Sequence, residues 1–85
     1  MTEREFYNLY DKIRDVLYGF KSYHCWYFCC NEEYYGDSMS FEVHVNSDQG
    51  YGDEWIENWG IRADGSIWSE SETYKDFTDF EQNWG

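Results

Sequence analysis

The sequence has no proline, only six lysine and arginine residues, and no long apolar run. A chain without proline and with seven glycines fits a compact domain with tight turns better than a series of linkers. A membrane-spanning helix needs roughly 18 or more apolar residues in succession, so none is predicted. Because residues 1–5 form no apolar segment, we expect no secretory signal peptide and a cytoplasmic location.

Catalytic motifs are also missing. The sequence contains no Gly-rich phosphate loop, no G-x-S-x-G and no H-E-x-x-H. A chain of 85 residues also leaves little room for a substrate pocket of the usual ~300–1,000 Å³. Eighteen carboxylates could form an acid/base pair by chance, but we expect neither an enzyme nor a cofactor.

The odd number of cysteines, three, agrees with a reducing compartment. His24, Cys25, Cys29, Cys30 and His44 are the conceivable soft metal ligands. On one strand, residues 25 and 29 would share a face but lie about 13 Å apart, too far for one ion. We therefore predict buried cysteines that act as small hydrophobic residues, and no metal site. A small metal-binding or structural module stays open as an alternative.

Aromatic residues make up 24% of the chain, which supports a small core despite few aliphatic residues. We predict one domain over residues 1–85. Thr2 and Glu5 have the spacing of a helix capping box, and the following apolar stripe predicts a helix over 3–18. The stripe consists of Phe6, Leu9, Ile13, Val16, Leu17 and Phe20.

Four strands are predicted over residues 22–30, 39–46, 54–62 and 66–70. The first has apolar residues at both parities, which indicates a central strand covered on both faces, and residues 31–38 are predicted as a loop. The loop at 63–65 predicts a hairpin that pairs Ile61 with Ile67 and Trp59 with Ser69. A two-residue loop, which would set Ile61 against Trp68, is the alternative that we favour less. Asp76 and Asp79 resemble a cap for a helix over 75–83. The fold class is α+β: an N-terminal helix packed on a 3–4-stranded antiparallel sheet, and a short C-terminal helix.

Residues 32–81 carry the whole net charge of −12, because the four acids and four bases of residues 1–31 cancel. A small domain needs a net charge of only about 2–8 in magnitude for solubility, and excess charge costs stability through self-repulsion. Trp55, Trp59 and Trp68 lie in the same stretch, so we predict a sheet with one packed face and one strongly negative face. Acidity that only solvates the protein remains the alternative.

Such a face could occupy a cationic cleft, because its charge spacing is of the order of that of DNA phosphates. The chain itself should be repelled by nucleic acid and by anionic membranes, so we expect a basic nucleic-acid-binding protein as partner. The predicted partner-binding carboxylates are Asp37, Glu42, Asp48, Asp53, Glu54, Glu57, Glu70 and Glu72. The predicted aromatic contacts are Tyr34, Tyr35 and Tyr51, with Trp55 or Trp68.

In size, acidity and order of elements, the whole chain resembles the small, acidic, phage-encoded anti-CRISPR proteins. Some of these are similar helix–three-strand–helix domains that act as nucleic-acid mimics on Cas effectors. The resemblance implies a DNA-mimic inhibitor acting in the host cell cytoplasm, and it transfers no functional residue by position. Acidic immunity proteins that neutralise basic bacterial toxins, such as nucleases, fit the same description.

Overall fold

The computed structural model describes residues 1–19, 25–47 and 54–84. The elements, in chain order, are α1 (Glu3–Gly19), β1 (Cys25–Tyr34), β2 (Ser38–Ser47), β3 (Glu54–Arg62), β4 (Ile67–Trp68), β5 (Thr73–Tyr74) and α2 (Phe77–Asn83). The predicted α+β arrangement is confirmed, although the sheet has five strands instead of three or four. Within these ranges, neither helix is long and apolar enough to cross a membrane.

Helix α1 begins with the predicted capping box. The backbone nitrogen of Thr2 donates to Glu5 Oε1 and that of Glu5 donates to Thr2 Oγ1, both at 3.2 Å. These hydrogen bonds lower the pKa of the Glu5 carboxyl below its ordinary value. Leu9 and Val16 of the predicted stripe are only partly buried against the core, and Tyr10 is buried in addition. The fully covered side of the helix consists of Phe6, Tyr10, Ile13 and Leu17.

The strands form an antiparallel meander in the order β1-β2-β3-β4-β5, and one face of the sheet packs against both helices. Tyr10 of α1 meets Phe41 edge-on with ring centroids 4.8 Å apart, and Phe80 of α2 meets Trp59 at 5.8 Å. Alternate residues of a strand share a face, which gives this packed face its composition. Its buried members are Cys29, Met39, Phe41, Val43, Val45, Trp59, Ile61, Ile67 and Tyr74.

Strand β1 is an edge strand, so the prediction of a central strand covered on both faces is wrong. Only one of its faces packs against the core. The backbone nitrogen of Cys29 donates to the Tyr18 hydroxyl at 3.0 Å, and that hydroxyl lies 3.4 Å from the Cys29 carbonyl. Helix α1 thereby occupies part of a backbone edge that could otherwise pair with another strand. Residues 20–24, with Phe20 and the predicted start of the strand, lie outside the described residues.

Strand β1 also continues through residues 31–34, where we predicted a loop. In the register, Asn31 and Glu32 of β1 lie opposite the single residue Phe41 of β2. This β-bulge holds Asn31 at φ 55°, a left-handed conformation that asparagine adopts more readily than most residues. The prediction failed because a bulge breaks the period-two pattern by which strands are recognised.

The β3–β4 hairpin has the predicted pairing of Ile61 with Ile67, and Gly65 in its loop has φ 86°. The predicted pairing of Trp59 with Ser69 is wrong, because β4 has only two residues. Strand β5, which was not predicted, pairs with β4 at the sheet edge. Two-residue strands are too short to show a periodicity in sequence.

Helix α2 has the predicted cap: the backbone nitrogen of Asp79 donates to Asp76 Oδ1 at 2.8 Å. The helix begins at Phe77, two residues after the predicted start. Lys75 lies before the helix, where its backbone nitrogen donates to Asp79 Oδ2 at 3.0 Å. The cap thus turns the chain from the sheet edge so that Phe80 enters the core.

Trp68 lies over Gly60 on the sheet face turned away from the helices. The two residues are a cross-strand pair, and a Cβ at position 60 would overlap Cε2, Cζ2 and Nε1 of the indole. Glycine at position 60 therefore lets the indole cover the β3 backbone.

We expect Gly60→Ala to lower the free energy of unfolding by about 1–3 kcal/mol, because the methyl group must displace the indole. Urea unfolding measures the change. Gly19→Ala is the matched control, since nothing lies within 4 Å of its added Cβ, and it should stay within about 0.5 kcal/mol. In a Trp68→Ala background most of the cost should vanish; an equal cost in both backgrounds would contradict this account.

Candidate protein-binding face

Among the described residues, no helix or strand covers the sheet face opposite the helices, and we name it the open face. Its composition follows from the pleat, because it collects the residues that alternate with the core. On the three long strands it holds Trp26, Phe28, Cys30, Glu33, Ser38, Ser40, Glu42, His44, Asn46, Ile56, Asn58, Gly60 and Arg62. The open face therefore combines apolar, polar and charged side chains, and it is less uniformly negative than predicted.

Three large apolar side chains lie at one end of the open face, and we name them the apolar row: Trp26, Phe28 and Ile56. Their exposed fractions are 49%, 52% and 53%. His44 lies between Phe28 and Ile56 in the cross-strand register, and its ring meets Phe28 edge-on at 6.2 Å. Sequence reasoning missed this row because it assigned Trp26 and Phe28 to a strand covered on both faces.

Next to the apolar row, the bulge opens a hollow of about 500 Å³ whose wall holds three carboxylates, Glu32, Glu33 and Glu42. We name it the acidic hollow; its remaining lining is Asn31, Ser40, Phe41 and Asn58. Asn31 Nδ2 donates to Glu42 Oε1 at 2.8 Å, and His44 Nε2 lies 3.1 Å from the same oxygen. These hydrogen bonds, the one from Asn31 first, lower the pKa of the Glu42 carboxyl, so Glu42 is ionised at neutral pH.

Basic residues are scarce around this surface. The sequence has no lysine or arginine from residue 22 to residue 61. Arg62 is exposed and pairs with Ser38 at the end of β3, away from the apolar row. The carboxylates of the hollow therefore have no lysine or arginine neighbour on the long strands except at that end.

Of the other predicted carboxylates, some are exposed without a described hydrogen bond, and others accept hydrogen bonds from groups of the protein itself. Asp37 is exposed in the turn between β1 and β2. Glu70 accepts from the backbone nitrogen of Asn58 at 2.6 Å, and Glu72 accepts from the Tyr74 hydroxyl. Asp48, Asp53 and Tyr51 lie outside the described residues, and of Glu54 only the backbone is described.

Glu57 lies on the helix side of the sheet and is not on the open face. Its Oε2 accepts from Trp55 Nε1 at 2.9 Å, and its Oε1 accepts from Trp59 Nε1 at 3.0 Å. Trp55 is 45% exposed, whereas Trp59 is buried. With Glu72 and Trp84 they line a second hollow of about 240 Å³. Glu57 thus has a structural role that its sequence position did not reveal.

The predicted aromatic contacts also differ in exposure. Tyr35 is 60% exposed and donates its hydroxyl to Glu33, which ties it to the acidic hollow. Tyr34 is half-buried against Phe6, with ring centroids 5.5 Å apart. Trp68 is half-buried over Gly60. Of these residues, Tyr35 is the one that the structure leaves open to a partner beside the hollow.

The two cysteines whose side chains are described lie on opposite faces of β1. Cys29 is buried in the core, and burial raises the pKa of its thiol to about 12. Cys30 is half-buried on the open face, opposite Glu42. Burial first, and then the charges of Glu42 and Glu32, raise the pKa of the Cys30 thiol. The prediction of buried cysteines is confirmed for Cys29 but is wrong for Cys30.

No protein-family model matches the chain, and neither a curated protein nor a solved structure is significantly similar to it. The resemblance to acidic inhibitors stays a prediction. Functional assignment therefore depends on the residues and the geometry of this chain.

We expect Glu57→Gln to lower the free energy of unfolding by about 1–2 kcal/mol. The glutamine side chain has one acceptor oxygen where Glu57 has two, so one of the two indole N–H groups then faces an NH₂ group and loses its hydrogen bond. Thermal or urea unfolding tests this, with Glu81→Gln at an exposed position of α2 as the control expected near zero. Equal stability of the two variants would show that the indole contacts do not stabilise the fold.

Proposed function

We propose that the protein is an inhibitor that occupies the nucleic-acid-binding site of a basic enzyme with its open face. We favour a CRISPR–Cas effector as the target, in keeping with the resemblance in size, charge and element order. Such an inhibitor acts in the cytoplasm, that of the host cell if the gene is phage-encoded. The observation that carries the proposal is the acidic hollow beside the apolar row.

The acidic hollow has the chemistry of a receptor for arginine or lysine. Three carboxylates and the side-chain amides of Asn31 and Asn58 surround one space of about 500 Å³. A guanidinium group donates five N–H bonds in a planar fork that suits carboxylates, and such charge-assisted hydrogen bonds are stronger than neutral ones. Because Asn31 orients Glu42, part of the ordering cost of binding is already met in the free protein.

The apolar row supplies the second component of an interface. Protein interfaces combine a desolvated centre, rich in aromatic residues, with a polar rim. Glu42 and His44 are two residues apart on β2, so the row and the hollow are neighbours at about 6.8 Å along the strand. A partner that fills the hollow with a basic side chain would cover Phe28 and Ile56 in the same contact.

The charge distribution favours a basic partner over nucleic acid. A net charge of −12 repels phosphates and attracts a cationic groove at long range, which raises the association rate. Carboxylates on the open face can replace phosphates in such a groove. Direct binding of nucleic acid is therefore not proposed.

An immunity protein that neutralises a basic toxin nuclease would use the same surface, and no feature of the fold separates the two targets. A panel of purified Cas effectors and bacterial nuclease toxins decides between them. In either case we expect duplex DNA to compete with the protein, and the affinity to fall as salt rises. A partner that holds both the protein and DNA without loss of affinity for either would exclude mimicry.

We expect the triple variant Glu32→Gln, Glu33→Gln, Glu42→Gln to bind the target found with this panel at least about tenfold more weakly. The reason is that a basic side chain of the target, buried in the hollow, loses its counter-charges. The measurement is Kd by calorimetry at two salt concentrations. The matched control is Glu3→Gln, Asp15→Asn, Glu81→Gln, which changes the net charge equally but lies on the helices. If both triple variants lose affinity equally, net charge alone explains the binding.

We also expect Phe28→Ala and Ile56→Ala to weaken target binding about tenfold or more with little change in stability, because both side chains are half exposed in the free protein. Trp55→Ala is the control: that indole is 45% exposed, but on the helix side of the sheet. A loss confined to Trp55→Ala would move the interface to the other face and contradict the proposal for the open face.

A further inference from the structure

Three potential metal ligands converge on the open face: Cys30, Glu42 and His44. One ligand atom from each lies within 4.8 Å of the other two. Glu42 Oε1 lies 3.1 Å from His44 Nε2 and 4.0 Å from Cys30 Sγ. All three side chains are half-buried, so they are reachable from solvent yet partly shielded from it.

The strand register brings the three side chains together. Cys30 of β1 is the direct cross-strand partner of Glu42 of β2. His44 follows two residues later on β2 and therefore points to the same face. No metal site was expected, because residues 25 and 29 of a single strand are too far apart to share an ion. Cys30, Glu42 and His44 instead lie on two paired strands, which are only about 4.8 Å apart.

We propose that Cys30, Glu42 and His44 bind one divalent transition-metal ion, with zinc as the expected occupant. The proposal stands independently of the proposed function, because it concerns the isolated protein. Thiolate and imidazole favour zinc or cobalt over calcium and magnesium, which prefer oxygen ligands alone.

The geometry needs only small side-chain movements. Zinc binds sulfur at about 2.3 Å and nitrogen or oxygen at about 2.0–2.2 Å, so ligand atoms of a tetrahedral site lie roughly 3.3–3.6 Å apart. The 3.1 Å between Glu42 Oε1 and His44 Nε2 is close to this range. A rotation of the half-buried Cys30 side chain can shorten the 4.0 Å between its Sγ and Glu42 Oε1. Asn31 Nδ2 donates to Glu42 and Phe28 packs against the His44 ring, so neighbouring groups already orient two of the three ligands.

Three protein ligands leave a fourth position for water or a small anion. The acidic hollow adjoins the cluster at Glu42, and it lies on the far side of Glu42 from His44 along β2.

The test is a titration of metal-free, fully reduced full-length protein with Co²⁺. We expect one equivalent to bind with a thiolate-to-cobalt charge-transfer band and visible bands of tetrahedral intensity, and one equivalent of Zn²⁺ to remove both. Cys30→Ser should abolish the charge-transfer band, and His44→Gln and Glu42→Gln should each weaken binding at least about tenfold. Cys29→Ala is the control and should leave the spectrum unchanged, because the Cys29 side chain lies on the opposite face of β1.

Two results would overturn the site: a wild-type protein with no thiolate band, or a band that persists in Cys30→Ser. Octahedral cobalt without the band would show only adventitious binding by surface acids. A second measurement on the wild-type chain does not depend on any variant folding. Zn²⁺ should slow alkylation of Cys30, followed by peptide mass spectrometry, at least about tenfold relative to the metal-free protein; no protection would contradict the proposal.

Discussion

The pairing of β1 with β2 is the constraint on which the surface chemistry depends. Its register fixes which alternate residues join the core and which face away from the helices. A slip of β1 by one residue against β2 would turn Cys30 toward the core and expose Cys29, while Glu42 and Val43 would keep their faces through the pairing of β2 with β3. Because the packed face is held by tightly fitted aromatic and aliphatic side chains, such a slip would cost most of the stability of so small a domain.

The β-bulge between β1 and β2 also determines the shape of the open face. By placing two residues of β1 opposite one of β2, it moves Glu33 back onto the open face after Glu32 has been turned aside. It also positions the Asn31 amide to hold Glu42. The bulge thus opens the hollow, places Glu32 and Glu33 beside it, and orients Glu42 through Asn31. Without the bulge, the open face would be a flat pleated surface with separated acids.

Some acidic side chains stabilise the fold through hydrogen bonds, and others remain exposed at the surface. Asp76 caps α2, Glu5 completes the cap of α1, and Glu57 receives two indole N–H groups. These carboxylates contribute hydrogen bonds that offset part of the self-repulsion of a −12 chain. Others, including Glu32 and Asp37, remain at the surface. The excess of acid is therefore not one uniform layer, and the group around the bulge brings three carboxylates to one concave site.

Much of the fold could be predicted because its signals are local. The capping pairs at Thr2 and Asp76, the alternation of β2 and the Ile61–Ile67 hairpin each depend on residues close in sequence. The site could not be predicted in the same way. Its parts come together through a bulge that breaks the strand pattern, and through the packing of both helices on one face of the sheet, which leaves Trp26 and Phe28 uncovered on the other. Neither the bulge nor the side on which the helices pack has a period that sequence reasoning can recognise.

Glu42 links the two proposed properties of the open face. The same carboxylate lines the acidic hollow and lies within 4.0 Å of both His44 Nε2 and Cys30 Sγ. A guanidinium group in the hollow and a metal ion at the cluster would both draw on its negative charge. Two cations that share one carboxylate repel each other at short range, where screening by salt is weak. Bound metal would therefore lower the affinity of the hollow for a basic side chain, and by linkage a bound partner would lower the affinity for metal by the same factor.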